Sequence, residues 1–199
     1  MTIVLLAAVI GGILCGYYFV PENIANNISI ISSFALNLTI LSVGIDVGSN
    51  KGLIKDLKKA GFKILLVPFS IVLGSLLGGI MTSIIYDLPI KSGLSIASGF
   101  GWYSLSGIML TNLDSAHVGT IALLTNIFRE LIAVISIPII ASKLNHYTAI
   151  APAGATSMDT TLPLISEVTS PEVTIISFLN GVVLSSLVPI LISFFYTLY

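Results

Sequence analysis

The stretch GTIALLTNIFRELIAVISIPIIAS, residues 119–142, decides the fold. It exceeds the roughly 20 predominantly apolar residues that cross a bilayer's hydrocarbon core. Its charged side chains are the adjacent Arg129 and Glu130, close to its centre. A membrane helix carrying a charged pair at mid-depth is the reading this stretch demands. Around it lie five runs without a charged side chain: 2–21, 23–45, 64–86, 92–113 and 173–199. Each is near or above the spanning length, so each is predicted to be a span.

Composition agrees. Of the 199 residues, 55% are hydrophobic and 9% charged, where a soluble domain carries about 25% charged residues. Mean hydropathy is +1.06. These values exclude a water-soluble enzyme, a nucleic-acid binder and a disordered chain. A β-barrel is excluded too, because its strands alternate polar and apolar residues, whereas these apolar runs are continuous. The net charge of -1 carries no information about partners. The single Cys15 cannot form an intramolecular disulfide, and its apolar surroundings predict a packing role. The opening MTIVLLAAVI has no basic residue, and no small-residue cleavage site follows, so it reads as a retained helix rather than a signal peptide.

The segment 148–166, TAIAPAGATSMDTTLPLIS, is apolar enough to enter the membrane, yet holds Pro152, Pro163, Gly154, Asp159 and several hydroxyls. A continuous lipid-facing helix does not suit it; a broken or re-entrant helix, shielded by protein or facing a cavity, does. Another interrupted, Gly/Ser-rich segment covers 95–107, so two such segments flank the Arg129–Glu130 helix. Transporters build midplane sites from paired broken helices of this kind. With short linkers at 21–23, 87–91 and 170–172, the expectation is one compact all-α domain over 1–199. It is a polytopic transmembrane bundle of about seven membrane segments, one or two of them broken or re-entrant.

Orientation follows from lysines. Lys51, Lys55, Lys58, Lys59 and Lys63 crowd the second connection, and no other connection has more than one Lys or Arg. The positive-inside rule places the 48–62 loop in the cytoplasm. If 148–166 crosses fully, the C-terminal end lies outside; if it re-enters, this count of spans puts that end inside.

Three groups of residues are candidates for chemistry. Burying a charge at mid-membrane costs about 2.5–3.5 kcal/mol on insertion scales, so Arg129 and Glu130 are either a structural ion pair or a substrate or proton site. Asn126 shares a helix face with Glu130, while Arg129 lies about 100° round. In the second group, Pro152 and Gly154 free backbone carbonyls, and Thr156, Ser157, Asp159 and Thr160 add hard oxygen atoms. That is what an ammonium group or Na+ at Asp159 and Thr160 requires, unless the kink is inert and satisfied by its own Ser and Thr side chains. The third is SGFGWYSLSG, 98–107, whose small residues allow close helix packing and whose Trp102, Tyr103 and Ser104 could wall a site. Weaker candidates are Asn37, at the middle of the second span, and Asp46, near its cytoplasmic end. His117 and His146 fall in loops. Intramembrane protease readings fail because the aspartates lack the required settings and neither histidine is at depth. No Cys/His metal set exists and no cofactor is implied.

The stretches SGFGWYSLSGIMLTN (98–112), GTIALLTNIFRELIA (119–133), APAGATSMDTTLP (151–163) and NGVVLSSLVPILISFF (180–195) together resemble the lysine exporter (LysO) family of bacterial and archaeal inner membranes. The likeness runs back to about residue 28. It implies export of L-lysine and toxic lysine analogues, with intramembrane carboxylates at Glu130 and Asp159, the same two that depth and cost select. A lysine ammonium would pair with one of them, and Arg129 or a half-helix N-terminus would take the α-carboxylate. Proton or Na+ binding at the second carboxylate would drive release. Familiar members carry further helices before the matched part, which implies a homo-oligomer or a separate small membrane subunit. Asn180 stands where many members carry histidine, and asparagine cannot carry a proton near pH 7. The competing expectations are an uncoupled, holin-like pore and an accessory subunit inactive alone.

Overall fold

The computed structural model describes residues 11, 14–16, 18, 21, 38, 41, 45 and 61–197. Asn37, Asp46 and nearly all of the 48–62 loop lie outside the described residues. Among the described residues every regular element is helical. Cys15 is exposed, not packed as its apolar surroundings predict.

A 3-10 turn at Gly61–Leu65 leads into α1, Leu66–Ile85. Pro68 sits in the first turn of α1, where its missing N–H costs nothing. After Pro89 comes α2, Ile90–Ala97, then a turn, then α3, Tyr103–Leu113. Helix α4 spans Ala116–Lys143 and starts on Ser115, whose side chain accepts a hydrogen bond from the Val118 N–H. His117 therefore lies in the first turn of α4 rather than in a loop. Then follow 3-10 turns at Thr148–Ile150 and Gly154–Met158, α5 at Leu162–Val168 and α6 at Pro171–Thr197. Among the described residues, α1, α4 and α6 are the helices long and apolar enough to cross a membrane.

The other elements form two hairpins that enter and leave on the same face. Helix α4 serves as a ruler for the first. Leu88 and Gly93 share a cavity wall with Ile121, while Gly99 and Gly101 abut Asn126. Ser106 is back at Asn126, and Gly107 and Thr111 are back at Gly119. The chain thus moves down α4 and returns. The sequence predicted 92–113 to be a span; this is corrected to a re-entrant hairpin. The physical reason is length: α2 has 8 residues and α3 has 11, about 12 and 16 Å at 1.5 Å per residue, each roughly half the hydrocarbon core.

Helix α6 is the ruler for the second hairpin. Tyr147 Oη donates to Glu172 Oε1 at 2.9 Å, which ties the start of the segment to the start of α6. Ser157 meets Ser177 and Asn180, and Met158 meets Gly181 and Ser185. Helix α5 then returns the chain to Pro171. The question left by 148–166 is answered: it re-enters. At the other end of α6 the Lys91 ammonium lies 4.9 Å from the centre of the Tyr196 ring, so the first hairpin's base is on the opposite face. Because both hairpins re-enter, the C-terminal end of α6 lies on the face opposite residues 61–65. The span count that placed it on the same face treated 92–113 as a crossing, and that placement is corrected with it.

The result is a span with a hairpin from one face (α1, α2, α3), then a span with a hairpin from the other face (α4 to α5), then α6. Small residues bring these elements together. A Cβ on Gly79 would meet the Gly93 carbonyl and Ala97, and one on Gly119 would meet Thr111 and the Gly107 carbonyl. The core is completed by fully buried Phe100, Leu110, Ile137, Ile150, Ile165, Leu184 and Ile192.

Candidate functional site

The tips of the two hairpins meet. The Ala155 N–H donates to the Phe100 carbonyl at 2.8 Å, and Gly101 packs against the Ala153 carbonyl. The turns need backbone geometry that L side chains avoid: Gly101 has φ +100° and Gly154 φ +61°. A Cβ on Gly154 would run into the Phe100 carbonyl.

Backbone groups freed at these tips are taken up by neighbours. Asn126, 2% exposed, accepts from the Gly101 N–H at 2.7 Å and donates to Ser106 Oγ and the Ala122 carbonyl. Arg129 donates to the Pro152 and Ala151 carbonyls at 3.2 and 3.3 Å and to Ser75 Oγ at 3.0 Å. Asn180 donates to the Gly154 carbonyl and Ser157 Oγ. Ser157 and Ser177 each donate a hydroxyl to the other's carbonyl at 2.8 Å. Thr156 and Thr161 bond within the second hairpin, to the Ala153 and Thr156 carbonyls. Such satisfaction is what permits irregular backbone at membrane depth.

Beside the tips is a cavity of about 250 Å³. Trp102, Tyr103 and Ser104 line it from the first hairpin, and Thr156, Met158, Asp159 and Thr160 from the second. Helix α4 contributes Glu130 and α6 contributes Ser185. Two carboxylates therefore face one space, and among the described residues its lining contains no Lys or Arg. Asp159 Oδ1 accepts from the Thr160 N–H at 2.6 Å.

Of the sequence-predicted residues, Glu130, Asp159, Thr156, Thr160, Trp102, Tyr103 and Ser104 come together on this wall. Arg129, Asn126 and Ser157 stand behind it as braces. Arg129 and Asn126 instead line a second cavity of about 240 Å³, with Ser75, Thr82, Gly93 and Thr125. The first hairpin's tip rests on Asn126, with Arg129 facing one cavity and Glu130 the other. Their neighbouring positions on α4 give them faces about 100° apart. Among the described residues no ion pair forms between a basic and an acidic side chain, so Arg129 and Glu130 do not neutralise each other directly.

Sequence reasoning missed Ser185 and Met158. Nothing in NGVVLSSLVPILIS marks Ser185 apart from its neighbour Ser186; Pro189, four residues on, is the one signal available.

A midplane cavity held between two oppositely oriented broken hairpins is the construction of a membrane transporter. Within that class the chain belongs to the lysine exporter LysO family, whose profile matches residues 6–196. It is 40% identical over 166 residues to lysine exporter LysO of Escherichia coli (strain K12), covering 82% of this chain and 54% of that protein. The chain thus spans about half the length of that relative. It is also 37% identical over 195 residues to a protein of Haemophilus influenzae named "Putative lysine exporter", covering 96% of each. No solved structure gives a significant match.

Proposed function

We propose that this chain is a multi-pass inner-membrane carrier that exports L-lysine and its cationic analogues, coupled to inward movement of H+ or Na+. The observation that carries the reading is the pairing of Glu130 and Asp159 on one cavity with no basic side chain among the described residues of its lining. Two carboxylates suit a ligand with two ammonium groups, which lysine has at neutral pH. The family and both named relatives support the substrate.

In this scheme one ammonium pairs with Asp159 and the other is drawn to Glu130. Trp102 and Tyr103 add aromatic faces for cation–π attraction. The α-carboxylate meets the first turn of α3, whose N-terminal end opens at Trp102–Ser104 and carries a partial positive charge. Arg129, already bonded to three oxygens, acts in the second cavity and as a clamp on the second hairpin. A proton or Na+ arriving at a carboxylate competes with the ammonium and releases it. Separation of the first hairpin's tip from Asn126 would join the two cavities and give alternating access. With 48–62 cytoplasmic, the second hairpin's base faces the cytoplasm and the first hairpin's base faces outward.

The test is lysine counterflow by the purified chain in liposomes, across pH and Na+ gradients. Saturable, gradient-driven lysine flux is expected. Glu130→Gln and Asp159→Asn should each lower it at least about tenfold, since each removes an ionic hydrogen-bond partner worth about 1.5–3 kcal/mol. Unsaturable flux of many solutes, or unchanged lysine transport in both variants, would sink this reading.

A further inference from the structure

Ser185 lines the cavity and has two oxygen atoms that lack their usual helical partners. Its hydroxyl does not bond back along its own helix, as the Ser186 hydroxyl does to the Val182 carbonyl at 2.9 Å. It points instead across to Met158 Sδ, 3.8 Å away. A thioether is a weak acceptor, so this hydroxyl has given up a good helical partner for a poor one. The Ser185 carbonyl is the second atom. An α-helical carbonyl is normally bonded by the N–H four residues later, and here that residue is Pro189, inside α6, with no N–H to give. Both atoms belong to Ser185, the residue by which α6 lines the cavity. Asp159 and Thr160 line the same cavity.

We propose that Ser185, through its hydroxyl and the carbonyl that finds no N–H at Pro189, binds an ammonium group of lysine in the cavity it shares with Asp159. An ammonium has three N–H donors in a tetrahedral arrangement. One carboxylate satisfies one or two of them, and two neutral oxygens from α6 complete the set without adding charge. Met158, a flexible side chain over the hydroxyl, turns aside as the ligand arrives. The proposal rests on the lysine-export reading and deepens it by naming the α6 side of the ammonium site.

The test is lysine counterflow and radiolabelled lysine binding in purified, reconstituted protein. Ser185→Ala should raise KM about tenfold with little change in kcat, the effect of one lost hydrogen bond to a charged group. Pro189→Ala should also raise KM, because it restores an N–H that occupies the Ser185 carbonyl. Ser185→Thr, which keeps the hydroxyl, should recover wild-type KM, and Ser186→Ala should have no effect. Gel filtration in detergent reports folding of each variant. If Ser185→Ala and Pro189→Ala fold and keep wild-type KM while the wild type transports lysine, the Ser185 proposal is wrong and the export reading stands. If the wild type neither binds nor transports lysine, both fall.

Discussion

At the residue scale, the polar groups divide into those that hold the hairpin tips and those that face the cavity. Asn126 shows the first role. Asn126→Ala strands the Gly101 N–H in a buried site, which costs about 1–3 kcal/mol. A lower melting temperature in detergent is expected; an unchanged melting temperature would contradict the bracing role. Gly154→Ala should be worse, because its Cβ meets the Phe100 carbonyl and φ +61° disfavours alanine. Loss of folded protein on expression is the expected result, and normal yield would show that the tips do not pack as described. Glu130 and Asp159 belong to the second role. Their depth and cost were legible in the sequence. The backbone duties of Arg129, Asn126 and Ser157 at the hairpins were not, because the hairpin carbonyls and N–H groups they satisfy come from residues some 20 or more positions away in the chain.

At the element scale, the decisive fact is that a charge-free run of spanning length can fold back on itself. The 92–113 run reads as a span by composition, yet breaks at Gly99–Trp102 and returns along α4. Cysteine labelling separates the two arrangements. In a Cys15→Ser background, Leu88→Cys and Asp114→Cys should react with a membrane-impermeant maleimide from the same face. His146→Cys and Ser170→Cys should react from the other. Labelling of positions 88 and 114 from opposite faces would restore a full crossing. The base of the second hairpin is pinned by Tyr147. Its hydrogen bond to Glu172, with burial and the nearby carboxylate charge, raises the phenol above its ordinary value. The raised value means that the neutral phenol is favoured in the fold. This contribution is present below about pH 10 and lost as pH rises through the shifted value. Tyr147→Phe should remove that alkaline dependence from the melting temperature, and an unaltered alkaline profile would show the contact to be idle.

At the scale of the whole molecule, the two units of span plus hairpin run in opposite directions and place their tips at one depth. The sequence carries a trace of this in the interrupted segments 95–107 and 151–163 on either side of α4. It does not carry the pairing of tips, which needs Phe100 and Ala155 brought together across the bundle. The arrangement gives two cavities on either side of one tip, one bearing two carboxylates and one bearing Arg129. Transport by the proposed carrier should be inhibited when the tips are held together. A disulfide or bis-maleimide link between Trp102→Cys and Thr156→Cys is expected to stop counterflow. Full transport in the linked protein would show that the tips need not part.

The sequence alone determined the class of the protein. Sparse charge and continuous apolar runs leave a helical membrane bundle, and the insertion cost of a buried charge marks Glu130 and Asp159. These are local and additive properties, readable residue by residue. Tertiary structure decided the rest: that two segments turn back, that Arg129 and Glu130 face different cavities, and that Ser185 joins the wall. Each of these depends on contacts between elements distant in the chain. Hydrophobicity records only whether a segment prefers lipid to water, and is silent on which polar partner awaits it inside.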